Sequence, residues 1–255
     1  MQDPIWQFSL QYVHALVWGG ALLLALYVAV RFVPSRWLVI ATLAVTLALV
    51  ALGAYVRLTD AGLGCPDWPG CYGKLSPMHA EEAILDAQRL APAGPVSPGK
   101  AWREMLHRYL ATLVGAMIVA IALRAWIERR AFRRQGASDP RTRLGLPMLL
   151  VAVVVLQGLF GKWTVTLLLK PAIVTLHLLG GMAIVALLAW LSGRHLGLPG
   201  AQRPAQARAL RPWAALGVPV LLVQIALGGW VSTNYAGLAC VDFPTCHGSF
   251  QPDMD

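Results

Sequence analysis

The chain has 255 residues, of which 57% are hydrophobic and only 13% charged, with a formal net charge of +9. So few charges cannot cover a soluble domain of this size, and the apolar residues gather in runs of about 20, the length that crosses a bilayer core. The basic balance would suggest nucleic acid in a soluble protein. Here the positive charge lies between the apolar runs, where membrane topology puts it, so no nucleic-acid partner is expected.

Six apolar segments are expected, at roughly 10–30, 37–56, 106–127, 145–166, 171–191 and 213–233. Each is long enough to span, at about 1.5 Å rise per residue. The expected fold class is an all-α, polytopic helical membrane protein with about six transmembrane helices. The first segment lacks a basic flank and a small-residue cleavage site, so it reads as a membrane helix rather than a cleaved signal.

The connections alternate in charge. Arg31 and Arg36 lie between segments one and two. ERRAFRRQGASDPRTR, with six arginines, lies between three and four, and GRHLGLPGAQRPAQARALRP, with four, between five and six. The N-terminal tail, the 57–104 loop, the turn near Lys170 and the C-terminal tail carry no such excess. The positive-inside rule therefore puts both termini outside the cytoplasm, the periplasmic side in a bacterium, and implies a multi-pass inner-membrane protein. Contact with phospholipid head groups accounts for the basic loop 128–143. In the long outer loop, HAEEAILDAQRL has the pattern of a short amphipathic surface helix, and APAGPVSPGK that of an extended segment.

All four cysteines fall in two repeated loops. GAYVRLTDAGLGCPDWPGCYGKLSP at 53–77 returns as GGWVSTNYAGLACVDFPTCHGSFQ at 228–251. The topology places both loops outside, where disulfides form, and the pairs Cys65/Cys71 and Cys240/Cys246 suit structural staples. Redox-active exchange with an external thiol is the alternative. A shorter echo links LVALGAYVRLT, LQGLFGKWTVT and VQIALGGWVST. Its glycines either let helices approach closely or make room for a flat ligand, and its Trp and Tyr residues suit interface anchors.

His107 and His177 lie near the outer ends of two different helices and at matched depth. Two such imidazoles can reach the two faces of a metalloporphyrin, or they can be a buried polar pair with no cofactor. Glu104 lies one helical turn before His107. It can orient that histidine, exchange a proton, or sit solvated at the membrane surface. Glu-x-x-His is also a non-haem metal pair, but a single copy gives a di-metal site little support. His14 reads as packing, and His79, His195 and His247 lie in loops without a partner at a telling spacing. Arg57 and Arg108, at the outer boundary, either pair with an anionic group such as a propionate or snorkel to the interface.

The segment 53–77, EMLHRYLATLVG at 104–115 and QGLFGKWTVTLLLKPAIVTLHLLGGM at 157–182 resemble the haem A synthase family, over about 37–255. The resemblance implies two pseudosymmetric four-helix halves and the oxidation of the C8 methyl of haem O to a formyl group by successive hydroxylations, in cytochrome oxidase biogenesis. It implies haem-iron ligation by His107 and His177, a catalytic role for Glu104, and disulfides Cys65–Cys71 and Cys240–Cys246. Haem O and haem A would be substrate and product, with haem b in a complete second half. Haem O synthase and an electron donor would be partners, and a homo-oligomer is left open. The expected organisation is an extra helix in 1–36, a first-half bundle in 37–192, a basic linker in 193–212, and the first helix and cysteine loop of a second half in 213–255. The remaining second-half helices and their histidine pair do not occur within these residues. Two rival readings stay open: a haem-binding or electron-transfer module without hydroxylation, and a quinone-linked thiol-disulfide oxidoreductase.

Overall fold

The computed structural model describes residues 17, 19–21, 23–136, 143–197 and 208–250. Its elements are α1 (Gly19–Phe32), α2 (Ser35–Leu58), α3 (Glu81–Leu90), α4 (Pro98–Arg134), α5 (Gly145–Thr166), α6 (Pro171–His195) and α7 (Arg211–Thr233). A 3-10 turn, Pro77–Ala80, leads into α3, and another, Ala236–Leu238, follows α7. Among the described residues five helices, α2 and α4 to α7, are long and apolar enough to cross a membrane. The chain is an all-α, multi-pass membrane protein. The expected first span at 10–30 lies partly outside the described residues, and its described part belongs to the shorter apolar helix α1.

Helices α2, α4, α5 and α6 pack as a ring in which each touches two neighbours, so that α4 faces α6 across the bundle and α2 faces α5. Helix α7 packs outside this ring, on α6. There Gly229 is buried, and a methyl group added to it would lie 3.0 Å from Leu178 Cδ2. Small residues at such contacts let helix backbones approach where lipid supplies no hydrophobic driving force. The central core joins Leu38 and Val39 of α2, Val114, Ile118 and Ile121 of α4, Leu150 of α5, and Ile184, Leu188 and Leu191 of α6. Thr42 and Thr46, buried in α2, donate their hydroxyl protons to the carbonyls four residues earlier, which satisfies them inside the apolar layer. Large side chains such as Trp37, Leu47, Val155 and Trp190 stay exposed on the outer faces, as a lipid solvent requires.

Helix α4 has 37 residues and is about 55 Å long at 1.5 Å per residue, well beyond a hydrocarbon core of about 30 Å. It therefore carries a platform at each end. At its C-terminal end Arg124 donates to the carbonyls of Val30 (2.6 Å) and Arg31 (3.3 Å), capping α1, while Glu128 accepts from Arg124 Nε and from Ser35. This gathers the α1–α2 turn and the arginine-rich end of α4 at one end of the bundle. Its N-terminal end corrects the sequence reading, which ran the outer loop to residue 104. The irregular part of that loop stops at Ser97, whose hydroxyl accepts from Lys100 N, and Pro98 takes the first helical position. Ser-Pro at a helix start is a legible capping signal.

The cysteine loop that follows α2 packs on that N-terminal platform. Cys65, Cys71, Ala80, Ile84, Ala101 and Met105 form a second small core. Ile84 is the buried residue of α3, so the expected surface helix does form, and its apolar side covers the cysteine loop.

Candidate functional site

Three residues of α4 fasten the first cysteine loop. Glu104 is 4% exposed, and its Oε2 accepts from Cys65 N–H at 2.8 Å. Its other oxygen takes the Arg108 guanidinium, which also donates to the carbonyls of Asp67 (2.8 Å) and Gly70. Tyr109 donates its hydroxyl to the Leu75 carbonyl at 2.5 Å. The contact is close enough to need a glycine: a methyl group at Gly64 would stand 2.6 Å from the Lys100 carbonyl carbon. Glu104 is therefore not solvated, and Arg108 has its partners within the chain rather than at the interface.

Within the loop, the Cys65 and Cys71 sulfurs lie 2.06 Å apart, and neither residue is exposed. Asp67 accepts from Tyr72 N–H (2.6 Å) and Gly73 N–H (2.7 Å). Burial, with the Asp67 carboxylate adding to it, pushes the Tyr72 phenol above its ordinary range. Residues after α7 repeat the design. Cys240 and Cys246 sulfurs lie 2.14 Å apart, and Asp242 accepts from His247 N–H (2.7 Å) and Gly248 N–H (2.9 Å). The turns match as well: Tyr72 and His247 have φ of 51° and 53°, and Gly73 and Gly248 have 71° and 76°. Both Trp68–Pro69 and Phe243–Pro244 are cis. The Thr245 hydroxyl and the Gly248 and His247 amides hold the Asp242 carboxyl below the usual carboxylate range.

The two loops leave the same end of the bundle. Arg57, at the end of α2, donates to the Ser232 carbonyl at the end of α7 and to Asp60 (3.2 Å). It lies 4.2 Å from the Tyr235 ring centroid, and Tyr235 donates to Asp60 at 3.1 Å. Arg57, like Arg108, is thus engaged within the chain.

Below the first loop lie the two histidines. His107 is on α4 and His177 on α6, the diagonal pair of the ring. The remaining two helices present glycine to them. A methyl group at Gly53 of α2 would stand 3.0 Å from His107 Nε2, and one at Gly161 of α5 would stand 3.7 Å from His177 Cε1. These are the glycines of the echoed LGAYV and FGKWTV motifs. The third, Gly228 of α7, has nothing within 4 Å. The sequence reading missed Gln157. Buried on α5, its carboxamide lies 2.8 Å from His177 Nδ1 and 3.1 Å from the His177 carbonyl, with its other end 3.2 Å from Gly181 N. A buried glutamine in an apolar span was the available signal.

This donor set fits a flat metalloporphyrin. Two imidazoles come from opposed helices, the flanking helices offer glycine in place of bulk, and Nδ1 of one ring already has a hydrogen-bonding neighbour. Among the described residues no group of three or more His, Cys, Asp or Glu gathers as a metal site. His79 and His247 lie in the cysteine-loop regions and His195 at the far end of α6, away from this pair.

Residues 35–255 match the model of the family described as "COX15-CtaA: Cytochrome oxidase assembly protein". A protein named heme A synthase from Shewanella oneidensis is 39% identical over 86% of this chain and 63% of its own length. Proteins of the same name from Caulobacter vibrioides and Alkalihalophilus pseudofirmus are 31% and 28% identical, over 85% of this chain and 65% of their own. The chain thus spans somewhat less than two thirds of the length of these relatives. No solved structure matches it. By the extent of the family match, the chain belongs to the COX15-CtaA family of cytochrome oxidase assembly proteins.

Proposed function

We propose that this chain forms the substrate-holding half of a haem A synthase, with haem O seated between His107 and His177 while its C8 methyl group is oxidised to a formyl group. The observation that carries the reading is the histidine pair on diagonal helices, each imidazole seated against a glycine of a flanking helix, Gly53 or Gly161. The iron porphyrin supplies the redox chemistry. His107 and His177 fix the plane and depth of the macrocycle. Glu104 holds the Cys65–Cys71 loop over the pocket mouth, which limits water access, and it offers a carboxylate for proton transfer. Each hydroxylation would consume dioxygen and two electrons from an external donor, one oxygen atom entering the methyl carbon and the other leaving as water, and haem O synthase would deliver the substrate. Haem b belongs, in this reading, to a second-half pocket in the longer relatives. The cysteine-loop end faces the periplasm of a bacterial inner membrane. The gathering of Arg31, Arg36, Arg124 and the α4 arginines at the opposite end supports that orientation.

The test uses the chain purified from membranes, given haem O and a reducing electron source, with the extracted haems separated by chromatography. Hydroxylated and formyl products are expected. Haem retained without conversion would instead support the binding or electron-transfer module. Failure to retain haem would sink both. The complete burial of Cys65 and Cys71 argues against external thiol exchange at that pair.

A further inference from the structure

Gln157 has no part in the reading above, yet its carboxamide lies against the His177 imidazole. It comes from α5, is buried at 8% exposure, and spans one turn of α6. One end of its carboxamide meets His177 Nδ1 and the His177 carbonyl, and the other meets Gly181 N. The fit is tight, because a methyl group on Gly180 would overlap the end of the Gln157 carboxamide that faces Gly181, at 1.6 Å. Gly180 is thus the space that lets the amide reach the imidazole.

We propose that Gln157 is a positioning residue that sets the ring plane and the tautomer of His177. The inference rests on the haem reading of the histidine pair. A carboxamide suits the task because it has a donor end and an acceptor end. With the nitrogen toward the ring, it donates to Nδ1 and to the His177 carbonyl, its oxygen accepts from Gly181 N–H, and the neutral imidazole carries its proton on Nε2. Iron on Nε2 requires the proton on Nδ1, which then needs an acceptor. Rotation of the same amide would present Oε1 to Nδ1–H, at the cost of its contacts with the His177 carbonyl and the Gly181 N–H. Gln157 therefore meets the ring in both states, most firmly with its nitrogen toward Nδ1, and its acceptor strength would tune the basicity of a ligating imidazole.

The test compares Gln157→Leu, Gln157→Glu and His177→Ala in the purified full chain, loaded with haem and read by absorption, electron paramagnetic resonance and redox titration. Gln157→Leu should weaken haem affinity roughly 10- to 100-fold, the usual loss for an outer-shell partner. It should also broaden the low-spin signal, as the ring loses its orientation. Gln157→Glu should keep the haem and move its midpoint potential to more negative values, since a carboxylate acceptor makes the imidazole a stronger donor. A purely structural role would leave the potential of a correctly loaded Gln157→Glu unchanged, and that result overturns the proposal. If His177→Ala abolishes the native spectrum while both Gln157 variants match the wild type in affinity and potential, the haem reading stands and this inference falls. If His177→Ala keeps the native spectrum, the haem reading itself fails.

Discussion

Residues 59–76 and 234–250 share an internal design but differ in what holds them. In both, an aspartate accepts two amides from the far side of a cysteine turn, and a short antiparallel bridge closes it, Cys71 with Lys74 and Cys246 with Ser249. The first loop is buried against α4, with neither cysteine exposed. The second stands clear, with Val241 at 83% and Phe243 at 97% exposure. The sequence difference that matches is small. Gly64, which a methyl group would drive into the α4 backbone, is replaced by Ala239 in the second copy. A cysteine turn of this kind is thus self-sufficient in shape, while its docking depends on Glu104, Arg108 and a bare backbone at position 64. In the untouched chain, a water-soluble reductant should open Cys240–Cys246 before Cys65–Cys71, as read by alkylation and mass spectrometry.

The largest break should come from Glu104→Ala. It removes the acceptor of Cys65 N–H and leaves the Arg108 charge without its carboxylate. Losing one member of such a buried pair costs roughly 3 kcal/mol. The first disulfide should then become nearly as reducible as the second. Gly64→Ala should cost about 2 kcal/mol through overpacking against Lys100. Ala239→Gly should leave thermal stability nearly unchanged, so equal effects in the two loops would contradict the comparison.

The glycines of the helix echo extend the contrast into the bundle. Gly53→Ala must displace His107 and should weaken haem uptake about tenfold. Gly228→Ala meets open space and should not, as measured by haem titration of the two variants. Acid should have the smallest effect. Because Asp242 has a folded-state pKa below its unfolded value, its contribution is complete above the ordinary aspartate range. It is lost only as the pH falls through the lowered folded value. The His247 and Gly248 amide signals should therefore hold steady from neutral pH down to about pH 4 and shift below it.

The placement of five of the six expected spans was legible because apolar runs and basic connections follow from the bilayer itself. The match of 145–166 to Gly145–Thr166 is an instance. The cysteine pairing was legible because each pair lies within one short loop. What the sequence did not disclose were contacts between distant segments. Glu104 meets Cys65 across 39 positions, and Gln157 meets His177 from a different helix. No local period encodes such pairs. The sequence therefore left Glu104 with three open roles, and only packing shows that it holds the loop. The start of α4 at Pro98 was in fact written in Ser97-Pro98, but the polar, glycine-rich context masked it.

The account stands on the histidine pair, and the most direct measurement is the haem absorption spectrum of the purified chain beside those of His107→Ala and His177→Ala, each titrated with haem O. The account predicts a low-spin spectrum in the parent chain and its loss in both variants, with the Cys65–Cys71 disulfide still protected. An unchanged spectrum in either variant, or a parent chain that takes up no haem, would contradict it.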